Sequence, residues 1–302
     1  MKRIIVLLLA LMLITLPVLA QMPEKDRAGN ELTLSEAPTR IISLAPATTQ
    51  IIESLNMLDC LVGVDSQSPL YVSGLENIDQ FDMMAPDCER MASLEPQLVL
   101  VSGMSYADSE DPFFVLRELG VQVATIPTSS DIAGVMEDIL FVAEVCGQGE
   151  QGLAIIENMY ARIDKIKQAV AGVADQKRVL FEISALPYIY STGTGTFLNE
   201  MIEAVGAVNV LSDQQGWLPV TEESAVAANP DVIFTSVNYI ENSVGEIMNR
   251  PGWGSVAAVE NAQVFYIDNA KCSLPNQFIV DAMAEMGALI YPELFGTLPD
   301  AA

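Results

Sequence analysis

The chain has 302 residues, of which 40 are acidic and 14 basic, so its formal net charge is −26. A surface this acidic repels nucleic acid, whose binding depends on neutralising phosphates with Lys and Arg, and no nucleic-acid partner is expected. No histidine occurs in the sequence, which excludes His-ligated zinc sites, His general bases and Ser-His-Asp catalysis.

The first twenty residues have the pattern of a secretory signal peptide. Lys2 and Arg3 form a basic start, and an uninterrupted apolar run follows over residues 4–16. This run is shorter than the roughly 20 residues that a membrane-spanning helix needs, so cleavage after Ala20 is predicted. No Cys follows the cut, and a mature protein free of a lipid anchor is expected in the periplasm or outside the cell.

Short apolar strands alternate with helical segments through the first half of the chain. Strands are predicted at residues 41–44, 61–64, 98–101 and 121–124, and helices at 49–58, 89–94, 113–119 and 132–145. This alternation is typical of βαβ units on a mainly parallel sheet.

A single long helix is predicted over residues 150–171, where neither Gly nor Pro interrupts the chain after Gly152. Apolar residues recur there at helical spacing. The alternation then restarts, with strands at 179–183, 232–235 and 264–267 and helices at 197–205 and 278–291. The predicted fold class is α/β, with two Rossmann-like lobes (21–148 and 173–302) that have mainly parallel sheets and are joined by one long rigid helix (149–172).

One short element occurs in both halves. It begins with an N-cap residue, Asp87 or Thr221, and continues with a Glu two positions later, Glu89 or Glu223. A Pro follows seven positions after that Glu, and a buried strand comes next. Acidic residues are common in first helical turns because they compensate the helix dipole, so either Glu alone would be ordinary. Matching placement in both halves instead predicts two carboxylates that dock on a partner.

Three segments resemble the helical-backbone periplasmic binding proteins, which serve ABC importers of cobalamin, haem and ferric siderophores. They are residues 40–50 (Arg-Ile-Ile-Ser-Leu-Ala-Pro-Ala-Thr-Thr-Gln), 61–64 and 89–100. The resemblance extends from about residue 40 to 295. It implies a monomeric, non-enzymatic protein without a cofactor, which binds a small-molecule metal chelate between its lobes. It also implies a partner, an ABC permease dimer with its ATPase subunits, whose Arg residues pair with Glu89 and Glu223.

The resemblance also implies which residues line the cleft. The candidates for ligand binding are Ala47, Thr48, Gln67 and Met83 in the first lobe, and Tyr188, Tyr190, Trp217, Asn269 and Lys271 in the second. Trp217 lies six residues before Glu223 and matches a cleft Trp of the cobalamin binders, although local packing of a Gly-Trp turn would also explain it. Tyr188 and Tyr190 alternate along an extended segment, so only one is expected to face the cleft.

The sequence departs from this family pattern in three places. Glu is common where Gln50 stands, residues 65–82 lack the tyrosine-rich sequence and cleft Trp of cobalamin binders, and residues 268–277 lack the usual Arg.

Charge favours one kind of chelate over the others. Lys271 is the only basic residue predicted near the cleft, whereas a trianionic ferric tricatecholate would need several. Haem would need an axial Tyr in the absence of His, for which the candidates are Tyr71, Tyr106, Tyr188 and Tyr190. A corrinoid is close to neutral and binds largely through shape, stacking and amide contacts, so it is slightly preferred, with haem or a ferric siderophore as alternatives.

Two other classes of protein stay open at this point. A metal-dependent hydrolase could use Asp108, Glu110 and Asp111, although three acids in one loop are more typical of a solvated surface. A receptor-like signalling or adhesion module could use the same two lobes.

The four cysteines provide an expectation about the redox state of the protein's compartment. Cys60, Cys88, Cys146 and Cys272 are consistent with disulfides formed in an oxidising environment, and four cysteines allow three pairings. Their wide, irregular spacing does not resemble a zinc site.

Overall fold

The computed structural model describes residues 22–106 and 111–296. The predicted signal peptide and its cleavage site lie outside the described residues, as do Asp108 and Glu110. Within the described part, no helix is both long and apolar enough to span a membrane.

The first lobe is built on a five-stranded parallel sheet. Its strands are β1 (Ile41–Ser43), β2 (Leu61–Asp65), β3 (Asp79–Phe81), β4 (Leu98–Ser102) and β5 (Gln122–Ile126). They lie side by side in the order β3-β2-β1-β4-β5. Helices cover both faces, which is why the central strands consist of buried apolar residues. These helices are α1 (Pro46–Ser54), α2 (Cys88–Ser93), α3 (Phe114–Glu118) and α4 (Ile132–Val145).

The connecting helix, α5 (Gly149–Val170), has 22 residues and is therefore about 33 Å long. Its buried stripe repeats every three or four residues, at Ile156, Met159, Ile163, Ile166 and Val170. The helix packs closely against α4. A Cβ atom on Gly152 would lie 2.4 Å from the Cβ of Ala143, so only Gly fits at this crossing.

The second lobe repeats the architecture with a smaller sheet. Its strands are β6 (Arg178–Glu182), β7 (Ile189–Thr192), β8 (Val208–Asn209), β9 (Trp217–Val220), β10 (Val232–Thr235) and β11 (Val264–Tyr266). Four of them form a parallel sheet in the order β11-β10-β6-β8, and β7 pairs with β9 as a separate antiparallel ribbon. The helices are α6 (Phe197–Ala204), α7 (Glu222–Ala228), α8 (Ser243–Met248), α9 (Ala257–Glu260), α10 (Asn269–Cys272), α11 (Ile279–Ile290) and α12 (Pro292–Phe295).

The predicted fold class is confirmed, and most predicted elements agree within a few residues. The largest shift is at α1, which begins at Pro46 and not at residue 49, because the fixed φ of Pro suits the first helical position. The sequence analysis did not predict β3, β8 and the β7-β9 ribbon, nor the helices α8, α9, α10 and α12. All of these elements have six residues or fewer, and periodicity gives little signal over so short a segment.

The two lobes are held against each other by packing as well as by α5. The largest apolar cluster contains buried side chains from both lobes, including Ile51, Val142, Met201 and Met283. Helix α4 of the first lobe contacts α6 of the second directly. This continuity was not predicted, since a two-lobed molecule suggests two separate cores.

Polar bonds also cross between the lobes. Asn276 Nδ2 donates to Gln50 Oε1 at 2.6 Å, where both side chains are buried. On another side of the junction, the Ile132 N–H at the start of α4 donates to the carboxylate of Glu200 at 2.8 Å. These bonds restrain the opening of the lobes at two separate points.

The expectation of disulfides is wrong, because all four cysteines are free thiols. Cys146 and Cys272 are completely buried in the apolar core, and burial raises the pKa of each thiol to about 12. Such thiols stay neutral near pH 7 and serve as small apolar side chains.

Substituting Ala at two glycines of α5 tests how closely α4 and α5 approach each other. Gly152→Ala should lower the free energy of unfolding by about 1–3 kcal/mol, since the added methyl overlaps Ala143. Gly149→Ala is the matched control, because its Cβ would lie 3.5 Å from the Glu144 Cγ, an ordinary contact, and should have a neutral or slightly stabilising effect. Urea unfolding measures both changes, and equal midpoints for the two variants would contradict the close packing.

Candidate functional site

A cavity of about 410 Å³ lies between the two lobes, and both lobes contribute to its walls. Its first-lobe residues are Ala45, Pro46, Ala47, Thr48, Ile51, Met83, Ser102, Met104, Ile126, Pro127, Thr128 and Asp138. Its second-lobe residues are Ile183, Phe197, Leu198, Trp217, Ser273, Leu274 and Pro275. Most of these residues follow the carboxyl ends of parallel strands, the edge at which open α/β sheets bind ligands.

A chain of buried hydroxyls holds the first-lobe wall in place. Thr49 Oγ1 donates to Ser43 Oγ at 2.8 Å, Ser68 Oγ lies 2.8 Å from Thr49 Oγ1, and Ser68 also bonds to Asp65. The chain therefore ties the first turn of α1 to β1 and to the loop after β2. Burial raises the pKa of Asp65, and the hydrogen bonds from Ser68 and two backbone amides oppose that rise.

The second-lobe wall carries two aromatic rings. Trp217 packs edge to face against Phe197, with ring centroids 5.6 Å apart. The indole N–H of Trp217 has no hydrogen-bond partner within residues 22–106 and 111–296. Trp217 therefore offers a flat apolar surface together with one available donor, a combination suited to a large planar ligand.

Asp138 is the only charged residue among the cavity-lining residues described. It is buried, and it accepts a hydrogen bond from Arg27 Nε at 2.6 Å and another from Ser129. Burial raises the pKa of Asp138, while these two donors lower it. Because Arg27 already pairs with Asp138, its charge is not offered to a ligand, and the wall is close to neutral overall.

The structure brings together some of the predicted ligand residues and leaves others apart. Ala47, Thr48, Met83 and Trp217 line the cavity, whereas Gln67 and Lys271 do not. Gln67 is exposed beside Asp65, whose carboxylate accepts its backbone N–H.

The other three predicted residues lie outside the cavity lining as well. Tyr188 is 81% exposed, and the Tyr190 hydroxyl donates to the backbone carbonyl of Trp217 at 3.2 Å. Asn269 accepts a hydrogen bond at 3.2 Å from the hydroxyl of Tyr71, in the other lobe. It therefore links the lobes instead of lining the cavity.

None of the tyrosines considered as haem ligands is among the cavity-lining residues described. Tyr71 is bonded to Asn269 as above. The Tyr106 hydroxyl lies 3.2 Å from Thr125 Oγ1 and accepts a hydrogen bond from Arg117 at 3.0 Å. The hydroxyls of Tyr71 and Tyr106 therefore already have hydrogen-bond partners within the protein.

Sequence reasoning missed much of the apolar lining. Ile126, Pro127 and Thr128 could have been identified, since they follow the carboxyl end of a predicted strand. Phe197 and Leu198 gave no such signal, because an apolar residue at the start of a helix looks the same whether it faces a core or a cleft.

Glu89 and Glu223 are both exposed in the first turns of their helices, α2 and α7. As expected, Asp87 and Thr221 are N-caps, accepting hydrogen bonds from the backbone N–H groups of Arg90 and Ser224. Within the described part of the chain, neither of the two Glu carboxylates makes a hydrogen bond or an ion pair.

The described residues contain no group of three or more acids and cysteines placed to hold a metal ion. Asp111, one of the acids of the hydrolase hypothesis, pairs with Arg117 at 3.2 Å. The arrangement around the cavity can enclose a ligand and bind its surface.

Comparison with known proteins agrees with this geometry. A family model described as periplasmic binding protein matches residues 41–270. An uncharacterized ABC transporter substrate-binding lipoprotein of Bacillus subtilis, YvrC, is 28% identical over 89% of this chain and 85% of its own length. A vitamin B12-binding protein of Vibrio cholerae is 25% identical over 82% of this chain and 87% of its own length.

A solved structure shares the fold. The periplasmic heme-binding protein RhuT from Roseiflexus sp. RS-1 superposes with a TM-score of 0.74 at 23% identity, covering 84% of this chain and 98% of that one. A cavity enclosed between two α/β lobes is an arrangement that can bind a solute. The family match covers well over half of the sequence, and the chain belongs to the periplasmic binding protein family.

The two Trp residues allow the exposure of the cavity to be measured. Trp253 is 1% exposed, with its ring 4.8 Å from the Arg250 guanidinium and its N–H bonded to Glu222, whereas Trp217 is only partly buried. Acrylamide should therefore quench the fluorescence of a Trp253→Phe variant strongly and that of a Trp217→Phe variant only weakly. Equal Stern–Volmer constants would show that Trp217 is as inaccessible as Trp253.

Proposed function

We propose that this protein captures a corrinoid between its lobes and delivers it to an ABC permease dimer with its ATPase subunits. The observation that carries the proposal is the cavity wall, which is apolar and aromatic and includes no Lys or Arg among its described residues. A nearly neutral chelate with a broad planar ring suits such a wall, since it can be bound by stacking and by the burial of apolar surface.

The electrostatics disfavour an anionic chelate. The chain carries a net charge of −26, and Asp138 is the only charged side chain among the described residues of the cavity lining. A trianionic ferric tricatecholate would lose its hydration there without gaining a cationic partner, which is costly in a site of low dielectric.

Haem is supported less well than a corrinoid. A haem-binding site usually provides an axial side chain such as His or Tyr, but the chain has no His and no described Tyr lines the cavity. The names of the curated relatives also favour corrinoids, since several are described as cobalamin- or vitamin B12-binding proteins. A haem-binding neighbour under 25% identical supports only the fold.

A corrinoid is larger than the 410 Å³ cavity, so part of it must extend along the rim or the lobes must separate slightly. The rim of the first lobe has exposed apolar side chains that could contact the ligand, among them Leu70, Met84 and Met104. Met side chains adapt well to irregular ligand surfaces.

Docking on the permease would use Glu89 and Glu223. Helix α2 leads back to the amino end of β4, and α7 leads back to the amino end of β10. In units of this kind the helix runs antiparallel to the strands, so both N-termini lie toward the carboxyl edges, where the cavity also opens. Two unpaired carboxylates on one side of the molecule suit Arg residues on two permease subunits, because Arg binds carboxylate with two parallel hydrogen bonds.

The proposal includes export of the chain, with cleavage after Ala20 and a lobe on each side of the connecting helix. It also includes a monomeric state, so that each carboxylate can meet a different permease subunit.

Titration of Trp fluorescence tests the cargo. Cobalamin should quench Trp217 with micromolar or tighter affinity, and a ferric tricatecholate should not bind. The Trp217→Phe variant is the control for light absorbed by the ligand, since only Trp253, which is buried and is not among the cavity-lining residues described, reports in it. The corrinoid assignment would be wrong if cobalamin left the wild-type signal unchanged while haem or a ferric siderophore quenched it.

Charge reversal tests the docking residues. The double variant Glu89→Arg/Glu223→Arg should abolish stimulation of a reconstituted importer's ATPase while cobalamin affinity stays within about twofold of wild type. The matched control is Glu118→Arg/Glu260→Arg, which makes the same charge change at exposed residues of α3 and α9 and should keep the stimulation. Loss of affinity in the first variant, or equal loss of stimulation in both, would argue against docking through these two residues.

A further inference from the structure

The N-terminus of α1 opens into the cavity without a cap. Ala45 is the N-cap residue, and no side chain accepts a hydrogen bond from the first turn of the helix. Thr49 makes the first backbone bond of the helix, to the Ala45 carbonyl at 3.0 Å. Pro46 has no N–H, so the backbone N–H groups of Ala47 and Thr48 are left without acceptors among the described residues. Both residues line the cavity.

Thr48 provides an independent sign that a ligand group belongs there. Its side chain is 5% exposed and lines the cavity, yet its hydroxyl has no hydrogen-bond partner in the described part of the chain. The adjacent Thr49, by contrast, bonds to both Ser43 and Ser68. The Thr48 hydroxyl is not among the described unpaired polar atoms that are shielded from solvent, so it is free to bond to water or to a ligand group.

A second hydroxyl without a partner belongs to Ser102, which also lines the cavity. Ser102 Oγ has no partner within the described residues and is shielded from solvent, so it reaches a ligand only after a rotation about its Cα–Cβ bond. Strands β1 and β4 are parallel neighbours with Ser43 opposite Leu100, so Ser102 comes beside Ala45, the N-cap residue of α1. Neighbouring strands are about 4.8 Å apart, so the backbone of Ser102 is expected near the start of the helix.

We infer that this corner of the cavity is a subsite for an oxyanion group on the cargo, such as a phosphodiester. Two amide N–H groups, the Thr48 hydroxyl and the positive end of a nine-residue helix belong to one part of the cavity lining, and the Ser102 hydroxyl can join them by rotation. Helix N-termini of this kind bind anionic oxygens. The described lining contains no Lys or Arg, so the subsite accepts one delocalised negative charge on an otherwise neutral ligand. A polyanion would find no further partner.

This inference rests on the proposed function and makes it more specific. A complete corrinoid carries one phosphodiester in its nucleotide loop, whereas cobinamide lacks that loop. The subsite therefore distinguishes the complete cofactor from its precursor, and the specificity would come from hydrogen-bond donors instead of Arg or Lys.

The test compares the dissociation constants of cobalamin and cobinamide in wild type and in Thr48→Val/Ser102→Ala. Hydrogen bonds to a charged group give roughly tenfold or more in affinity, so wild type should bind cobinamide at least tenfold more weakly than cobalamin. In the double variant this ratio should fall to about threefold or less. Both substitutions remove hydroxyls that have no hydrogen-bond partner in the described part of the chain, so the fold should be retained, which thermal unfolding checks. Thr48→Ser keeps the hydroxyl and should keep the wild-type ratio.

The inference is overturned if wild type binds the two corrinoids equally, or if the ratio is the same in wild type and in the double variant. Failure of the cargo assignment looks different, because then neither corrinoid binds at all. In that case calorimetric titration with orthophosphate decides the subsite by itself. Millimolar binding that the double variant loses supports it, and the absence of binding to wild type rejects it.

Discussion

The packing between the lobes is the constraint on which the rest of the structure depends. One apolar cluster contains side chains from α1, α4, α5, α6 and α11, so each lobe completes the core of the other. The Gln50–Asn276 and Ile132–Glu200 bonds add polar restraints on this junction. Because close-packed interiors resist shear, the cavity has a defined shape before any ligand arrives, and a modest change in the angle between the lobes would alter it.

The direction of the strands explains where the functional groups gather. Parallel strands bring their carboxyl ends to one edge, and the loops and helix starts that follow them share that edge. In the first lobe this edge supplies the start of α1, Ser102 and Ile126 to the cavity. By the same rule we expect the N-termini of α2 and α7 to lie toward the carboxyl edges of their sheets, which is the basis of the proposed docking.

The charge of the molecule contrasts with the chemistry of its cavity. The chain is strongly acidic, whereas the described cavity lining is mostly apolar and includes one carboxylate, Asp138, which is held by Arg27 and Ser129. This lining offers a ligand apolar and aromatic surface and a few hydrogen-bond donors, and it contains no Lys or Arg among the described residues.

Much of the fold could be predicted because its signals are local. The limits of α4 and β10 follow from apolar periodicity and from the Gly and Pro that flank them, and the N-caps Asp87 and Thr221 follow from the chemistry of unpaired helical amides. The site could be predicted only in part. Thr48 and Trp217 were found through a motif, but Phe197 and Ser102 resemble ordinary core residues in the sequence.

By itself, the sequence determined the fold class, the long connecting helix, the acidity, and the absence of His-based chemistry, because these depend on residue type and local spacing. Only the tertiary structure decided that the lobes share a core, that the cysteines stay apart as thiols, and that Tyr188 and Lys271 lie outside the cavity. It also decided that the hydroxyls of Thr48 and Ser102 have no hydrogen-bond partner among residues 22–106 and 111–296. The physical reason is that contacts between residues distant in the chain depend on how the two lobes pack together. The spacing of residue types along the chain does not determine that packing.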